Sequence, residues 1–282
     1  MSGQRFAVVG DPVAHSKSPV MHAAAFRALG LPHTYEAVRA TPAELPTVVN
    51  ALREGRYDGL NVTVPHKQSV LSLVDVLDEG ARVAGAANTL VRRADGAIVA
   101  HNTDAPALAA EVIRIAGPAR RWPQARALVV GSGGTARAAV VALGVYLGVR
   151  DIVARARSFT DRSRREAFIA SLPCPVTPQP WEPWPSSETR TIALIQATSA
   201  GMHGADPGET VRDVVAWDAL PADAVGIDVV YNPRDTPWLC AARDRGLSCD
   251  DGLGMLARQG ALALTLWLGI EAPLRAMRAA LE

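Results

Sequence analysis

The sequence predicts an α/β fold in two domains, and three observations lead there. Apolar, strand-like runs alternate with helical patterns along most of the chain, which favours mainly parallel sheet. The 282 residues suffice for one or two domains of ~100 to 200 residues, each with a real core. In mid-chain a glycine-rich turn joins an apolar strand to a helix and opens a second strand series.

In the first half "RFAVVG", "YEAVRA" and "GLNVTV" read as strands and residues 19–30 and 42–55 as helices, a βαβαβ unit. The third strand runs into "NVTVPHK" (61–67). Its period of two sends Val62 and Val64 to one face and Asn61 and Thr63 to the other. Pro65, which has no N–H for the ladder, ends it. Val70, Leu73, Val74 and Leu77 then form one helical stripe, which puts Lys67 in the opening turn of a helix. A lysine there meets the positive pole of the helix dipole, so electrostatics gives no reason for it. Taken alone, Lys67 reads as a solvated surface lysine.

"NTLVRRADGAIVAHN" reads as a hairpin turning at Ala94, Asp95 and Gly96. An Ala-rich helix from about Pro106 leads to "GPARRWPQ", a junction in composition. The second series has "ARALVVG", "DIVARA", "TIALIQA" and "AVGIDVVY" as strands, and helices over 252–268 and 271–281 close the chain. "PCPVTPQPWEPWP" (173–185) reads as a stiff surface connection.

Formal charge is +1 and no basic cluster stands out, which argues against nucleic acid or a membrane surface as partner and for a small molecule. The most apolar run, residues 261–270, is far below the ~20 residues of a membrane span, and "MSGQRFAVVG" lacks a signal peptide's pattern. A cytoplasmic protein is expected. Cys174, Cys240 and Cys249 form no CxxC pair, and the six histidines fall into no HExxH spacing. Reduced thiols and no metal follow as expectations. A homodimer is neither required nor excluded.

The clearest cofactor signal is "ALVVGSGGTARAAVVALG" (127–144). Glycines at 131, 133 and 134 permit a tight turn and let backbone N–H groups approach a pyrophosphate at the helix N-terminus. The pattern is G-x-G-G-x-A, which a merely structural turn also explains. The next strand ends with Arg155 and Arg157 and no acid to bond the ribose hydroxyls of NAD, so a 2′-phosphate is the natural partner and NADP the expected cofactor. Arg155, nearer the strand end, is expected to contribute more. Solvated rim arginines are the alternative.

Other stretches carry polar groups that packing does not require. In "AHSKSPVMH", Ser18 and Pro19 read as N-cap and first helical residue, while Ser16 is left to hold a carboxylate or to lie in a Ser-rich turn. Gln259 falls inside the apolar stripe Met255, Leu256, Leu262, Ala263, Leu266. A buried amide needs partners, from a polyhydroxylated ligand or from backbone or water. Asp104 of the Asn102, Thr103, Asp104 trio reads as a helix cap as readily as a functional acid. "ATSAGM" and "YNPRDTP" follow strands, where ligands of open α/β sheets bind, and also serve as ordinary turns.

Taken together and in order, "HSKSP" (15–19), "NVTVPHK", "GAANTL" (85–90), "NTD" (102–104), "GSGGTARA" (131–138), "ATSAGM" (197–202), "YNPRDTP" (231–237) and "DGLGMLARQGA" (251–261) resemble the shikimate dehydrogenase family over essentially the whole chain. The resemblance implies two α/β domains: an N-terminal substrate domain with a mainly parallel sheet, completed by the C-terminal helices (1–104 and 252–282), and a Rossmann-type dinucleotide-binding domain (105–251). It implies NADP-dependent reduction of 3-dehydroshikimate to shikimate. Carried over by motif, Ser16, Ser18, Asn61, Thr63, Asn88, Thr103, Tyr231 and Gln259 contact substrate, and Lys67 and Asp104 form the catalytic pair. Gly131, Ser132, Gly133, Gly134, Thr135, Arg155, Arg157 and Gly252 match cofactor positions.

The resemblance gives Lys67 a task, because a ring hydroxyl that becomes a ketone must lose a proton to a positioned side chain. Three departures stand against the family pattern: Ala105, Pro106 and Ala107 where glycines usually follow the Asn-Thr-Asp, Ala154-Arg155-Ala156 for Asn-Arg-Thr, and Leu264 and Thr265 for Phe and Glu. They leave open a paralogue acting on quinate or aminoshikimate. A nucleotide-binding sensor without turnover is the alternative from another class, although it would not need both Lys67 and Asp104.

Overall fold

A computed structural model describes residues 3–182 and 190–282. In chain order the elements are β1 (Arg5–Gly10), α1 (Ser18–Ala28), β2 (Thr34–Arg39), α2 (Leu45–Arg53), β3 (Gly59–Val62), β4 (Val76–Leu77), α3 (Glu79–Ala84), β5 (Thr89–Arg92), β6 (Ile98–His101) and α4 (Asp104–Ala116). The second series is β7 (Arg126–Val130), α5 (Gly134–Val141), β8 (Asp151–Arg155), α6 (Arg162–Ala170), β9 (Thr177–Gln179), β10 (Thr191–Gln196), α7 (Glu209–Arg212), β11 (Val225–Asp228), α8 (Pro237–Asp244) and β12 (Ser248–Asp250), followed by α9 (Leu253–Leu268) and α10 (Leu274–Ala279). The chain divides into two compact units, Met1–Ala107 with Leu256–Glu282, and Leu108–Met255. "GPARRWPQ" therefore lies inside the second unit, and the division falls within α4 and α9.

The first unit holds a six-stranded sheet in the order β2-β1-β3-β5-β6-β4. β1 pairs in parallel with β2 and β3, while β5 is antiparallel to both its neighbours. The hairpin turns where expected: the Arg93 N–H donates to Ala97 O, and Gly96 takes φ +86, a left-handed conformation that glycine adopts without strain. Its core gathers Ala7, Val9, Leu52, Leu60, Val62, Leu90 and Ile98, the inward residues of strands and helix α2.

Two expectations fail near β3. The strand ends at Val62, so Thr63 lies beyond it and Val64 is 48% exposed instead of sharing the buried face of Val62. The helix expected after Pro65 does not form. Residues 69–73 make a 3₁₀ turn, and β4 then joins the sheet edge, with the Asp75 and Asp78 N–H groups donating to Ile98 O and Ala100 O of β6. Edge pairing with β6 outcompetes helix continuation, and Lys67 sits in a tight turn.

The second sheet is parallel throughout, in the order β12-β11-β10-β7-β8-β9. β7 lies in its interior, and Ala127, Leu128, Val129 and Val130 are all buried, the continuous apolar run of a strand covered on both faces. Part of the expected surface connection is β9, paired to β8 through Val153↔Thr177 and Arg155↔Gln179; Pro183, Trp184 and Pro185 of that stretch lie outside the described residues. Pro178 is compatible with a strand at the sheet edge. No described helix is long and apolar enough to cross a membrane.

Candidate active site

In the first unit β3, β5 and β6 bring their polar residues to one edge, through the registers Asn61↔Thr89 and Thr89↔His101. The Val62 N–H donates to Asn88 O at 2.9 Å and the Asn88 N–H to His101 O at 3.0 Å, which fixes Asn88 between the strands. The turn after β3 is pinned from two sides. His66, fully buried, donates from Nε2 to Ala40 O at 2.6 Å, and the Ala87 N–H donates to Lys67 O at 2.7 Å.

From that turn Lys67 Nζ donates to Asp104 Oδ2 at 2.7 Å. The side chains are 13% and 4% exposed, so the solvated-lysine reading is set aside. Asp104 is not a cap. Asn102 Oδ1 accepts the Ala105 N–H at 3.0 Å and caps the helix, leaving the Asp104 carboxylate for Lys67 and, through Oδ1, for Asn88 Nδ2 at 2.9 Å. Asn88 Nδ2 also reaches Thr103 Oγ1 at 2.8 Å and Gln259 Oε1 at 3.1 Å, and its Oδ1 accepts the Thr103 N–H at 2.7 Å. Gln259 Nε2 donates to Leu256 O at 2.9 Å. The buried amide of α9 thus finds its partners in Asn88 and the backbone, while Leu262 and Leu266 of the expected apolar stripe are both 39% exposed.

Lys67, Asn88, Thr103, Asp104 and Gln259 form one network, joined by Asn61 through Thr89: Asn61 Nδ2 donates to Thr89 Oγ1 at 3.1 Å, and Thr89 Oγ1 lies 3.3 Å from Thr103 Oγ1. Sequence reasoning misses Thr89, because only strand pairing sets it opposite Asn61. Ser16 and Ser18 stand outside this network among the described residues. α1 begins at Ser18 with Lys17 at the N-cap, and Ser16 Oγ accepts the Ser18 N–H at 3.2 Å, so Ser18 is not the cap. Thr63 packs its methyl where a Cβ on Gly10 would fall, 2.4 Å away.

In the second unit β7 ends at Val130 and Gly131 takes φ +133, with Ala197 O only 3.0 Å from where a Cβ would lie. Gly133 precedes α5, and a Cβ there would meet nothing within 4 Å. Open space over glycine, at a helix start whose first N–H groups point outward, fits a pyrophosphate. Ser132 Oγ and Ser158 Oγ are 2.9 Å apart across the neighbouring turn. Arg155, expected to be the main phosphate ligand, is instead buried: Nη1 donates to Glu182 O at 2.6 Å and Nη2 to Gln179 Oε1 at 2.9 Å. It faces β9, a strand that the sequence reading does not contain. Arg157 has a 68% exposed side chain, paired with Asp206 and lying 5.7 Å from the Trp181 ring centroid.

Tyr231 lies on the loop after β11. Gly252 is held by close packing, since a Cβ would fall 2.1 Å from Val229 O. A buried cluster absent from the sequence reading underlies these loops. Asp228 Oδ2 accepts from Thr236 Oγ1 at 2.6 Å, and its Oδ1 accepts the Val230 N–H at 2.9 Å and Gln196 Nε2 at 3.2 Å. Burial, aided by the nearby Asp251 charge, pushes its pKa up to about 7 against the pull of the Thr236 and Val230 hydrogen bonds. No group of His, Cys, Asp and Glu that could hold a metal occurs among the described residues.

A parallel sheet with a glycine turn opening onto a helix, and a separate unit carrying a buried lysine–carboxylate pair among amides and hydroxyls, define a dinucleotide-dependent oxidoreductase. The family model for the shikimate dehydrogenase substrate binding domain matches residues 8–90, and that for the shikimate 5'-dehydrogenase C-terminal domain matches residues 252–282. The shikimate dehydrogenase (NADP(+)) of Methylobacterium radiotolerans is 40% identical over 265 residues, 93% of this chain and 90% of that one. The shikimate 5-dehydrogenase of Thermus thermophilus, solved with NADP(H) and shikimate, has a TM-score of 0.81 at 32% identity, covering 99% of this chain and 98% of that one. A ligand-free 5-ketofructose reductase of a Gluconobacter species has a TM-score of 0.82 at 29% identity, covering 100% and 98%. The chain belongs to the shikimate dehydrogenase family.

Proposed function

We propose that the chain catalyses the reversible NADP-dependent reduction of 3-dehydroshikimate to shikimate in the cytoplasm. The observation that carries this is the buried Lys67–Asp104 pair set among Asn61, Asn88, Thr103 and Gln259, neutral donors and acceptors suited to a polyol ring. In this reading the first unit receives the substrate and the second the dinucleotide. NADP, when bound, supplies the hydride chemistry. In the direction of alcohol oxidation, the ring hydroxyl gives its proton to the Lys67–Asp104 pair as its carbon loses hydride; in reduction the pair returns it. Asn88 holds Asp104 from the other side and so keeps Lys67 Nζ aimed during transfer.

The glycine turn, residues 131–135, would hold the pyrophosphate. Among the arginines, exposed Arg157 is the phosphate reader, and Arg155 supports it by tying β8 to β9 and to the backbone at Glu182. A test is purified protein with shikimate, quinate or 5-ketofructose and each nicotinamide cofactor, followed at the absorbance of the reduced cofactor. The highest kcat/KM is expected for shikimate with NADP. A clear preference for another substrate would overturn the reading, and the absence of turnover with any of them would favour the sensor.

A further inference from the structure

Asn61 has less to offer a ligand than its position suggests. A carboxamide has two N–H donors and an oxygen with two lone pairs. Both donors are engaged within the protein, Nδ2 donating to Asn88 O at 3.0 Å and to Thr89 Oγ1 at 3.1 Å. One lone pair of Oδ1 accepts the Tyr35 hydroxyl at 2.7 Å. What remains is a single acceptor. Tyr35 comes from β2, two strands away from β3, and its side chain reaches past β1 to Asn61.

The ring that carries this hydroxyl is itself held. Tyr35 stacks on His22 with centroids 4.2 Å apart and planes 8° from parallel, and Trp267 of α9 packs 6.3 Å away at 46°. His22 is fully buried, and neither ring nitrogen has a hydrogen-bond partner among the described residues. Burial pushes its pKa down to about 3, so the ring is neutral at any working pH. A buried imidazole without partners is costly, so its place in this core calls for a compensating role. A neutral, flat ring is the plate that fixes the direction of the Tyr35 phenol.

We propose that Tyr35 is a positioning residue for substrate, clamping the Asn61 carboxamide so that its remaining oxygen lone pair accepts a ring hydroxyl. The role rests on the functional reading above and acts through Asn61; of the two residues, Asn61 and not Tyr35 would touch the ligand. Tyr35→Phe removes the hydroxyl and leaves the stack on His22 intact. One hydrogen bond's worth of positioning corresponds to about a 3- to 10-fold change in affinity.

The test is calorimetric measurement of shikimate and NADP⁺ dissociation constants for wild type, Tyr35→Phe, Asn61→Ala and the double variant. Tyr35→Phe should weaken shikimate about 3- to 10-fold and leave NADP⁺ within about twofold, and adding it to Asn61→Ala should change the shikimate constant by less than about twofold. A shikimate constant for Tyr35→Phe within about twofold of wild type, or losses that multiply in the double variant, would overturn the positioning role. The single Tyr35→Phe comparison decides the matter if Asn61→Ala does not fold. Wild type that binds no shikimate would overturn the functional reading and this inference with it.

Discussion

Lys67 and Asp104 show how much one contact can change the meaning of a side chain. With Lys67 held 2.7 Å from Asp104 and largely buried, Lys67→Ala should lower kcat by ~10² to 10⁴ while the NADP⁺ dissociation constant stays nearly unchanged. Steady-state rates and cofactor titration read both quantities, and near-normal turnover would remove Lys67 from the mechanism. The two arginines invite a sharper contrast. Arg157→Ala should weaken NADP⁺ about tenfold or more and spare NAD⁺, because an exposed guanidinium pairs with phosphate through charge-assisted bonds. Arg155→Ala should act on the fold: a buried guanidinium loses two bonds to β9 and its flanking loop, so the melting temperature drops and both cofactors weaken alike. Selective loss of NADP⁺ in Arg155→Ala would restore it as the phosphate reader.

Whole segments respond to the groups beneath them. The loops after β10 and β11 are both tied to Asp228, through Gln196, Thr236 and the Val230 N–H. Its raised folded-state pKa, about 7 against an ordinary 3.8, means that the folded chain holds a proton the unfolded chain releases. By linkage, the stability this proton gives is fully present below about pH 4 and is lost as pH rises toward 7. Asp228→Asn, which cannot ionise, should therefore gain stability relative to wild type as pH is raised from about 5 to about 8. Denaturant midpoints across that range check this, and parallel pH profiles for the two proteins would show that Asp228 does not titrate there.

The first unit is assembled from both ends of the sequence. Trp267, on α9, stacks on Phe6 with centroids 4.7 Å apart and donates from Nε1 to Leu90 O at 3.0 Å, and the same helix brings Gln259 to Asn88. Gly59 leaves room for this indole, since a Cβ there would fall 2.2 Å from Trp267 Nε1. Gly59→Ala should thus displace a packed ring and destabilise by about 1–3 kcal/mol, lowering the melting temperature by several degrees. An unchanged melting temperature would mean that the helix end yields freely.

Period-two and helical patterns and turn residues make most strands and the hairpin legible in the sequence alone, because local backbone preference and burial periodicity are written in consecutive residues; the candidate site residues are named mainly through the order of the family's motifs. Gln259 stands out as an amide inside an apolar stripe, whereas Lys67, Asn88 and Asp104 come to the site through the family's motifs. Partnership is not legible. Whether residues 69–77 coil or pair depends on the free edge of β6, and whether Asp104 caps a helix or meets Lys67 depends on Asn102 taking the cap. Arg155 sits at a strand end, but β9, short and carrying Pro178, gives no clear strand signal to show that the guanidinium is covered. Tyr35, Thr89 and Asp228 carry no local mark, because each acquires its role from a neighbour many residues away. A sequence states which groups a chain carries; which hydrogen bonds they spend on one another is settled by strand register and burial, through contacts that no local pattern encodes.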